Sequence, residues 1–272
     1  MAKKQISCLP VSLFQSFFDK SVTVADWAEF AAAQGLDYID INRRCLLDMN
    51  ATQVEEIAAQ LKLPVLMVTT YSDFTNPTAQ GFADAVAAAK EDLKLTAALG
   101  AKYLRLTAGQ NYPDQPEDKT IAQICKGFEE CLPLAEKLGI GLLLENHSKP
   151  GAWQYPDFNF HLERMLKLWD KIKELPIGIN FDTANAYAVG DWKALVTAFG
   201  SRIETIHIND ISSVTPLKFC CVGEGIVPQQ EMLKEVRKYG FNGVFCIEEA
   251  CMRGKEGIET AVKATKAILQ NI

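Results

Sequence analysis

Cysteine is one of the residues that this chain uses sparingly. Eight cysteines occur among 272 residues, which is too few to staple a fold of this size with disulfides. No two of them have the Cys-x-x-Cys spacing of a zinc or redox motif. The sequence therefore predicts that all eight are reduced thiols, as is usual in a cytoplasmic protein.

An excess of positive charge and a long apolar run are also missing. The chain has 28 Lys and Arg against 34 Asp and Glu, a formal net charge of −6. Binding to a phosphate backbone needs clustered Lys and Arg, so this balance disfavours nucleic acid as a partner. No stretch approaches the roughly 18 apolar residues of a membrane span, and no signal-peptide core follows the N-terminus. We therefore expect a cytoplasmic protein without a membrane partner.

A repeating unit organises the rest of the chain. An amphipathic stretch ends at a glycine, which suits the left-handed end of a helix, and a short apolar run follows. These runs lack polar alternation, as expected of strands buried on both faces. The predicted strands lie near residues 5–9, 38–42, 64–70, 103–107, 141–146, 177–182, 203–209 and 243–248.

Eight alternating units favour a single (β/α)8 TIM barrel domain over residues 1–272. The alternative, an open doubly wound sheet, is disfavoured because no Gly-x-Gly-x-x-Gly loop follows the first strand. One predicted helix, near residue 52, opens with the capping-box spelling Thr52-Gln53-Val54-Glu55.

Four of the predicted strands end in a potential metal ligand: Glu145, Asp182, His207 and Glu248. Carboxyl ends of barrel strands meet at one rim, where barrel active sites lie. Residues two apart share a strand face, so Asn209 should point the same way as His207. Three carboxylates and one imidazole suit Mn²⁺, Zn²⁺, Mg²⁺ or Co²⁺. The pattern predicts a site for one divalent cation.

These strand ends resemble the xylose-isomerase-like TIM-barrel superfamily, in its sugar (phosphate) isomerase/epimerase branch. The segments that carry the resemblance are Leu144-Glu145-Asn146-His147, Asn180-Phe181-Asp182-Thr183-Ala184-Asn185, Ile206-His207-Ile208-Asn209-Asp210, Cys246-Ile247-Glu248-Glu249 and Val222-Gly223-Glu224-Gly225-Ile226-Val227-Pro228.

The resemblance implies that the four predicted ligands hold one divalent cation, with Mn²⁺ as the first expectation. It also implies that Glu145 and Glu248 transfer a substrate proton through an enediolate, so that a small sugar or keto-sugar is isomerised or epimerised. Elimination of water from a keto-sugar or inosose is an alternative outcome of the same proton abstraction. A homo-oligomer is compatible with this family.

Two observations limit the resemblance. Epimerase relatives often have a histidine three residues after the metal-binding aspartate, where this chain has Asn185. DNA-repair endonuclease relatives use several more histidines to hold three zinc ions, whereas this chain has only His147, His161 and His207. A metal-dependent nuclease is therefore the less favoured alternative.

Several other residues are candidates for substrate binding. His147 lies two residues after Glu145, and Arg105 lies inside a strand, where its charge needs Glu145 or a substrate oxygen as partner. Loop residues supply the remaining candidates, which are Lys218 for a phosphate or carboxylate, Trp153 and Tyr155 for a pocket wall, and Glu224 as a partner of Lys218 or of substrate. Asn185 and Asn209 could bind sugar hydroxyls, and Glu249 should face a helix, opposite to Glu248.

Overall fold

The computed structural model describes residues 4–148 and 153–272. Eight parallel strands form one sheet, and an antiparallel hairpin lies outside it. The strands are β1 Ile6–Pro10, β2 Ile39–Asn42, β3 Val65–Thr69, β4 Tyr103–Leu106, β5 Gly141–Glu145, β6 Gly178–Asp182, β7 Ile203–Ile208, β8 Asp210–Val214, β9 Leu217–Cys220 and β10 Val244–Glu249.

The sheet runs in the order β1-β10-β7-β6-β5-β4-β3-β2. Its two edges meet below β2, where the backbone N–H groups of Asp37 and Tyr38 donate to the Ile6 carbonyl at 2.9 and 3.3 Å. The result is a nearly closed barrel with helices between successive strands. The predicted (β/α)8 fold is confirmed, and each predicted strand position matches a barrel strand.

Helices surround the barrel and bury one face each against it. They are α1 Phe14–Phe18, α2 Val24–Ala33, α3 Ala51–Ala58, α4 Ala79–Ala98, α5 Glu117–Leu138, α6 Leu162–Ile172, α7 Thr183–Ala188, α8 Trp192–Phe199, α9 Gln229–Lys238 and α10 Gly254–Gln270. Short 3₁₀ helices cover Val11–Leu13, Arg43–Leu46 and Gly200–Arg202. No described helix is long and apolar enough to cross a membrane.

The capping box of α3 differs from the one predicted. Asn50, not Thr52, precedes the helix, and its side chain accepts from the Gln53 N–H at 3.1 Å. The Gln53 side chain accepts in return from the Asn50 N–H at 2.9 Å. Asn50 is extended, as a capping residue must be, so the helix begins two residues earlier than predicted.

An apolar cluster fills the barrel below the rim. Its members include Met67, Tyr103, Leu143, Val244 and Cys246, all of which are less than a tenth exposed. They share strand faces with the predicted site residues above them. The floor of the site is therefore mostly apolar, and it also contains the buried Asp40, whose Oδ2 accepts from the Ser7 hydroxyl at 2.6 Å.

Strands β8 and β9 form a hairpin that follows β7 on the carboxyl side of the barrel. The sequence predicted only a loop here, because the polar run Ser212-Ser213 and Pro216 are typical of loops. The pairing of Asp210 with Cys220 brings the chain back to the rim. The hairpin therefore stands beside the barrel mouth.

The prediction that all cysteines are free thiols is wrong for one pair. Cys221 and Cys251 are disulfide-bonded in the structure, with their Cα atoms 4.8 Å apart. Cys221 follows β9 and Cys251 follows β10, so 30 residues of sequence separate them. No short sequence motif marks a pair of cysteines that far apart in the chain, because only the folded barrel brings the two segments together. The other six cysteines are free.

Candidate metal and active site

Glu145, Asp182, His207 and Glu248 come together at the carboxyl rim. Each offers one ligand atom, and these atoms all lie within 4.8 Å of one another. The residues belong to β5, β6, β7 and β10, which are consecutive neighbours in the sheet. Cross-strand register explains the convergence, since Asp182 is aligned with His207 on the adjacent strand. Glu145, Asp182 and His207 are fully buried, and Glu248 is partly exposed.

Three buried polar atoms of this cluster have no hydrogen-bond partner among the described residues. They are Glu145 Oε1 and both ring nitrogens of His207. His207 Nδ1 lies 3.5 Å from Glu145 Oε2, which is long for a hydrogen bond. An unsatisfied buried polar group costs about 1 to 3 kcal/mol, so such a cluster needs a counter-ion. The donor set of three carboxylates and an imidazole fits a divalent cation.

Neighbouring side chains fix the orientation of the four clustered residues. Asp182 Oδ1 accepts from the Asn185 backbone N–H at 2.6 Å and thereby caps α7. Asn209 Nδ2 donates to Glu248 Oε2 at 2.6 Å and lies 3.5 Å from Asp182 Oδ2. Asn180 Nδ2 donates to Glu145 Oε2 at 2.9 Å. Such supporting contacts set ligand geometry in metal sites.

The site also brings Arg105 to Glu145. Arg105 Nε lies 2.9 Å from Glu145 Oε2, and Nη1 donates to the Thr70 carbonyl at 3.0 Å. The Arg105 Nε–H bond does not point at Glu145 Oε2, so this interaction is an ion pair without a well-aligned hydrogen bond. Of the two partners that the sequence suggested, the structure shows the Glu145 carboxylate.

Electrostatics within the cluster follow from this arrangement. Burial alone would raise the pKa of Glu145, but the Arg105 guanidinium and His207 outweigh it and hold that pKa well below its usual value. Burial raises the pKa of Asp182 strongly, and the Glu248 and Glu145 carboxylates raise it further. Burial disfavours the His207 imidazolium, yet the Glu145 carboxylate raises its pKa to about 9. A bound cation would displace protons from Asp182 and His207.

A cavity of about 330 Å³ opens above the cluster. Its polar lining comes from His147, Ser148 and Glu248, and its apolar lining from Val11, Leu217, Phe219, Ala250 and Met252. A larger cavity of about 580 Å³ lies elsewhere, beside α1, α2 and α3, and none of the predicted site residues lines it. The smaller one is the candidate substrate site because it reaches Glu248.

His147 is held by a partner that the sequence did not reveal. Its Nδ1 lies 2.5 Å from Asp157 Oδ1, and Trp153 Nε1 donates to the same oxygen at 3.0 Å. The Tyr71 ring packs edge-on against both the His147 and Trp153 rings, with centroids 5.6 Å apart in each case. Trp153 therefore contributes to the wall around His147. Asp157 lies in the connection after β5, where no short motif marks it.

Lys218 is not brought to the cluster. It is exposed on β9 between Leu217 and Phe219, both of which line the cavity, so strand alternation directs its side chain away. Glu224 pairs with Arg253 through contacts of 3.1 and 3.2 Å rather than with Lys218. Glu249 is 1% exposed and lies near Gly257 of α10, on the opposite face from Glu248. Part of the predicted loop after β5, residues 149–152, lies outside the described residues.

The last two candidates, Asn185 and Tyr155, have different surroundings. Asn185 lies in α7, and its side-chain Oδ1 is buried with no hydrogen-bond partner in the part of the chain that the structure describes. Tyr155 packs against Tyr112 rather than against His147, with ring centroids 5.3 Å apart. Sequence reasoning missed Tyr71 and Asp157, which organise the His147 side of the site through ring packing and a hydrogen bond.

Comparison with known proteins agrees with this architecture. Residues 28–270 match the family model described as xylose isomerase-like TIM barrel. No curated protein sequence matches the chain. The fold is similar to that of IolI, solved with a bound zinc atom, with a TM-score of 0.81, 17% identity and 98% of both chains covered.

Two further solved structures share the fold. The probable 3-DHS dehydratase AsbF from Bacillus anthracis gives a TM-score of 0.77 at 18% identity, covering 96% of this chain and 98% of that one. D-allulose 3-epimerase from Methylomonas sp. gives 0.75 at 17% identity, with both chains covered completely, at 100%. At such identities the likeness concerns the fold, and the matched family confirms the resemblance inferred from the strand-end motifs. The chain belongs to the xylose isomerase-like TIM barrel family.

Proposed function

We propose that this protein is a divalent-cation-dependent isomerase or epimerase of a small sugar or keto-sugar. The observation that carries the proposal is the buried cluster, in which Glu145 Oε1 and both His207 nitrogens lack partners next to a cavity that reaches Glu248. Solved structures with a similar fold include a D-allulose 3-epimerase and a 3-keto-D-glucoside 4-epimerase, which supports this reaction class.

Glu145, Asp182, His207 and Glu248 would hold the cation, for which Mn²⁺ is the first expectation and Zn²⁺, Mg²⁺ or Co²⁺ are alternatives. When bound, the cation would polarise a carbonyl and a neighbouring hydroxyl of the substrate, and so acidify the C–H beside them. The chain's own groups then carry the proton.

Glu248 is the better placed base. It is partly exposed and lines the cavity, while Asn209 fixes its Oε2. Glu145 is more strongly held, because Arg105 and Asn180 both contact its Oε2. In our proposal Glu248 removes the C–H proton and the substrate passes through an enediolate. Glu145, ionised at rest, takes a proton from a substrate hydroxyl and delivers it to the opposite face of the carbon, and Glu248 returns its proton to that oxygen.

Substrate hydroxyls would be bound by the polar groups around the cavity. His147 contacts Asp157 through Nδ1 and lines the cavity, and in our proposal its Nε2 binds a substrate oxygen. The Asn185 amide has an unpartnered Oδ1 and could accept from a hydroxyl group. Trp153 would limit the pocket near His147, because its indole is fixed on the same aspartate.

The His147–Asp157 pair also favours a second candidate, a dehydratase. Elimination needs an acid beside the leaving hydroxyl as well as a base at the C–H. A histidine oriented by a carboxylate and facing the cavity could supply that proton. The probable dehydratase AsbF among the structural relatives supports this reading.

The first test is metal content after purification without chelator, together with thermal unfolding before and after EDTA. We expect about one equivalent of a divalent cation and a lower melting temperature after its removal, because binding to the folded state stabilises it. A protein without metal that also fails to respond to added Mn²⁺ or Zn²⁺ would contradict the proposal. Assays on ketoses and inososes then separate epimer formation from loss of water.

A further inference from the structure

Two loops meet at the mouth of the cavity. Cys221 follows β9, whose Leu217 and Phe219 line one side of the mouth. Cys251 follows β10 and lies between Ala250 and Met252, which line the other side. The bond between Cys221 and Cys251 therefore joins the two sides of the opening.

Little else among the described residues holds the loop after β10. Met252 has a φ of 60°, a left-handed backbone conformation that residues other than glycine seldom adopt without a local constraint. It is 70% exposed, so packing does not supply that constraint. The Cys251 N–H donates to Glu249 Oε1 at 2.9 Å. Arg253 pairs with Glu224 on the surface, where an ion pair contributes little.

We propose that Cys221 and Cys251 are a reversible redox-modification site that sets the shape of the cavity mouth. In the bonded form, the pair holds Ala250 and Met252 beside the hairpin. As two thiols, it releases the loop after β10, and the left-handed Met252 relaxes. This inference does not rest on the proposed reaction.

A buried carboxylate beside the two sulfurs fits both states. Ligand atoms of Cys221, Cys251 and Glu249 lie within 4.8 Å of one another. Glu249 is 1% exposed, and its Oε2 has no well-aligned hydrogen bond among the described residues, although Ser12 lies close to the carboxylate. A thiol S–H can donate to this oxygen, whereas a disulfide cannot. The reduced state thus offers Glu249 a donor in addition to Ser12.

Thiol–disulfide exchange with a low-molecular-weight disulfide would interconvert the states. The partly exposed Cys251 thiolate attacks one sulfur of the small disulfide, whose S–S bond breaks and releases a thiolate. The Cys221 thiolate then attacks Cys251 Sγ and releases the second thiolate. Two electrons pass to the small disulfide, and the two thiol protons pass to the released thiolates.

The test compares the full chain in oxidised and reduced glutathione buffers. Mass spectrometry after non-reducing digestion should find the Cys221–Cys251 peptide pair only in the oxidised buffer. Hydrogen exchange of residues 221–225 and 250–253 should be about tenfold faster after reduction, because local openings grow when a cross-link is lost. The melting temperature should fall by on the order of 5 °C, since the bond closes a loop of about 30 residues.

Variants provide the matched controls. Cys251→Ser should behave like the reduced protein in both buffers, whereas Cys220→Ser, which removes the adjacent free thiol, should behave like the wild type. The absence of the linked peptide in every buffer, or equal exchange in both states, would overturn the proposal. Mn²⁺ affinity, measured in parallel, should differ by less than about twofold, because Asn209 holds Glu248 within reach of β7. A protein that binds no Mn²⁺ would refute the proposed function alone.

Discussion

Replacing Arg105 with methionine should destabilise the metal-free protein by about 3 to 5 kcal/mol at pH 7.5. The guanidinium and the Glu145 carboxylate are 1% and 0% exposed as side chains and lie 2.9 Å apart. Their attraction is about 6 kcal/mol at an effective dielectric constant of about 20. Removing one partner of a buried pair leaves the other charge uncompensated, and the typical cost is about 3 to 5 kcal/mol.

The loss should depend on pH in a defined direction. In the wild type the pKa of Glu145 lies well below its ordinary value of 4.5, so its contribution persists above that pH and is lost only in acid. Without Arg105, burial raises the pKa of Glu145 in the folded state, and folding then requires a proton. Stability of the variant therefore falls by up to about 1.4 kcal/mol per pH unit above pH 4.5.

Urea unfolding of the EDTA-treated proteins at pH 5 and pH 7.5 measures both effects. Saturating Mn²⁺ should reduce the deficit, because the cation supplies the missing positive charge. Arg43→Met is the matched control, since Arg43 pairs with Asp92 at 2.7 Å away from the cluster and its deficit should not respond to Mn²⁺. A loss below about 1 kcal/mol, or one that is equal at both pH values, would refute the reasoning.

Three further predictions concern the site. Glu248→Gln should lower both Mn²⁺ affinity, measured by calorimetry, and turnover, measured by activity assay. Glu249→Gln, on the opposite strand face, is the control and should still bind one equivalent of Mn²⁺. Full activity of Glu248→Gln would exclude Glu248 as a base. Asp157→Asn should lower turnover by about 10- to 100-fold without loss of Mn²⁺, because His147 loses its orientation. A pH–rate profile identical to that of the wild type would argue against Asp157 as the residue that orients His147. Lys218→Ala should change KM for neutral sugars by less than about twofold, because its side chain is exposed beside the cavity; a large loss on neutral sugars would mean that the hairpin closes over substrate.

The parts of the site that were predictable from the sequence lie on strands. A strand buried on both faces leaves a continuous apolar run, and parallel strands bring their carboxyl ends to one rim. Those two rules suffice to predict that Glu145, Asp182, His207 and Glu248 converge. The side of Glu249 also follows from alternation, and the structure places it against α10.

Contacts between loops could not be predicted in the same way. The Asp157 carboxylate reaches His147 from a later part of the connection after β5, and nothing in its sequence neighbours marks that role. The β8–β9 hairpin carries residues typical of loops, so the outward direction of Lys218 was not foreseeable. The Cys221–Cys251 link depends on two segments that only the finished barrel brings together. Asn50 caps α3 instead of the predicted Thr52. Each of the two residues is followed three positions later by Gln or Glu, so both fit the capping-box pattern and the sequence alone does not distinguish them.

Strand β10 pairs with β7 on one side and with β1 on the other, so the barrel strand that comes last in sequence connects the first strand to the rest of the sheet. Glu248 stands on that strand, between partners contributed much earlier in synthesis. If the proposed metal site is right, a nascent chain that lacks β10 would have an incomplete ligand set, and tight cation binding would become possible only once β10 is in place. Binding of the ion would then stabilise only those molecules in which β10 has paired with β7 and β1, and would shift the folding equilibrium toward them by mass action.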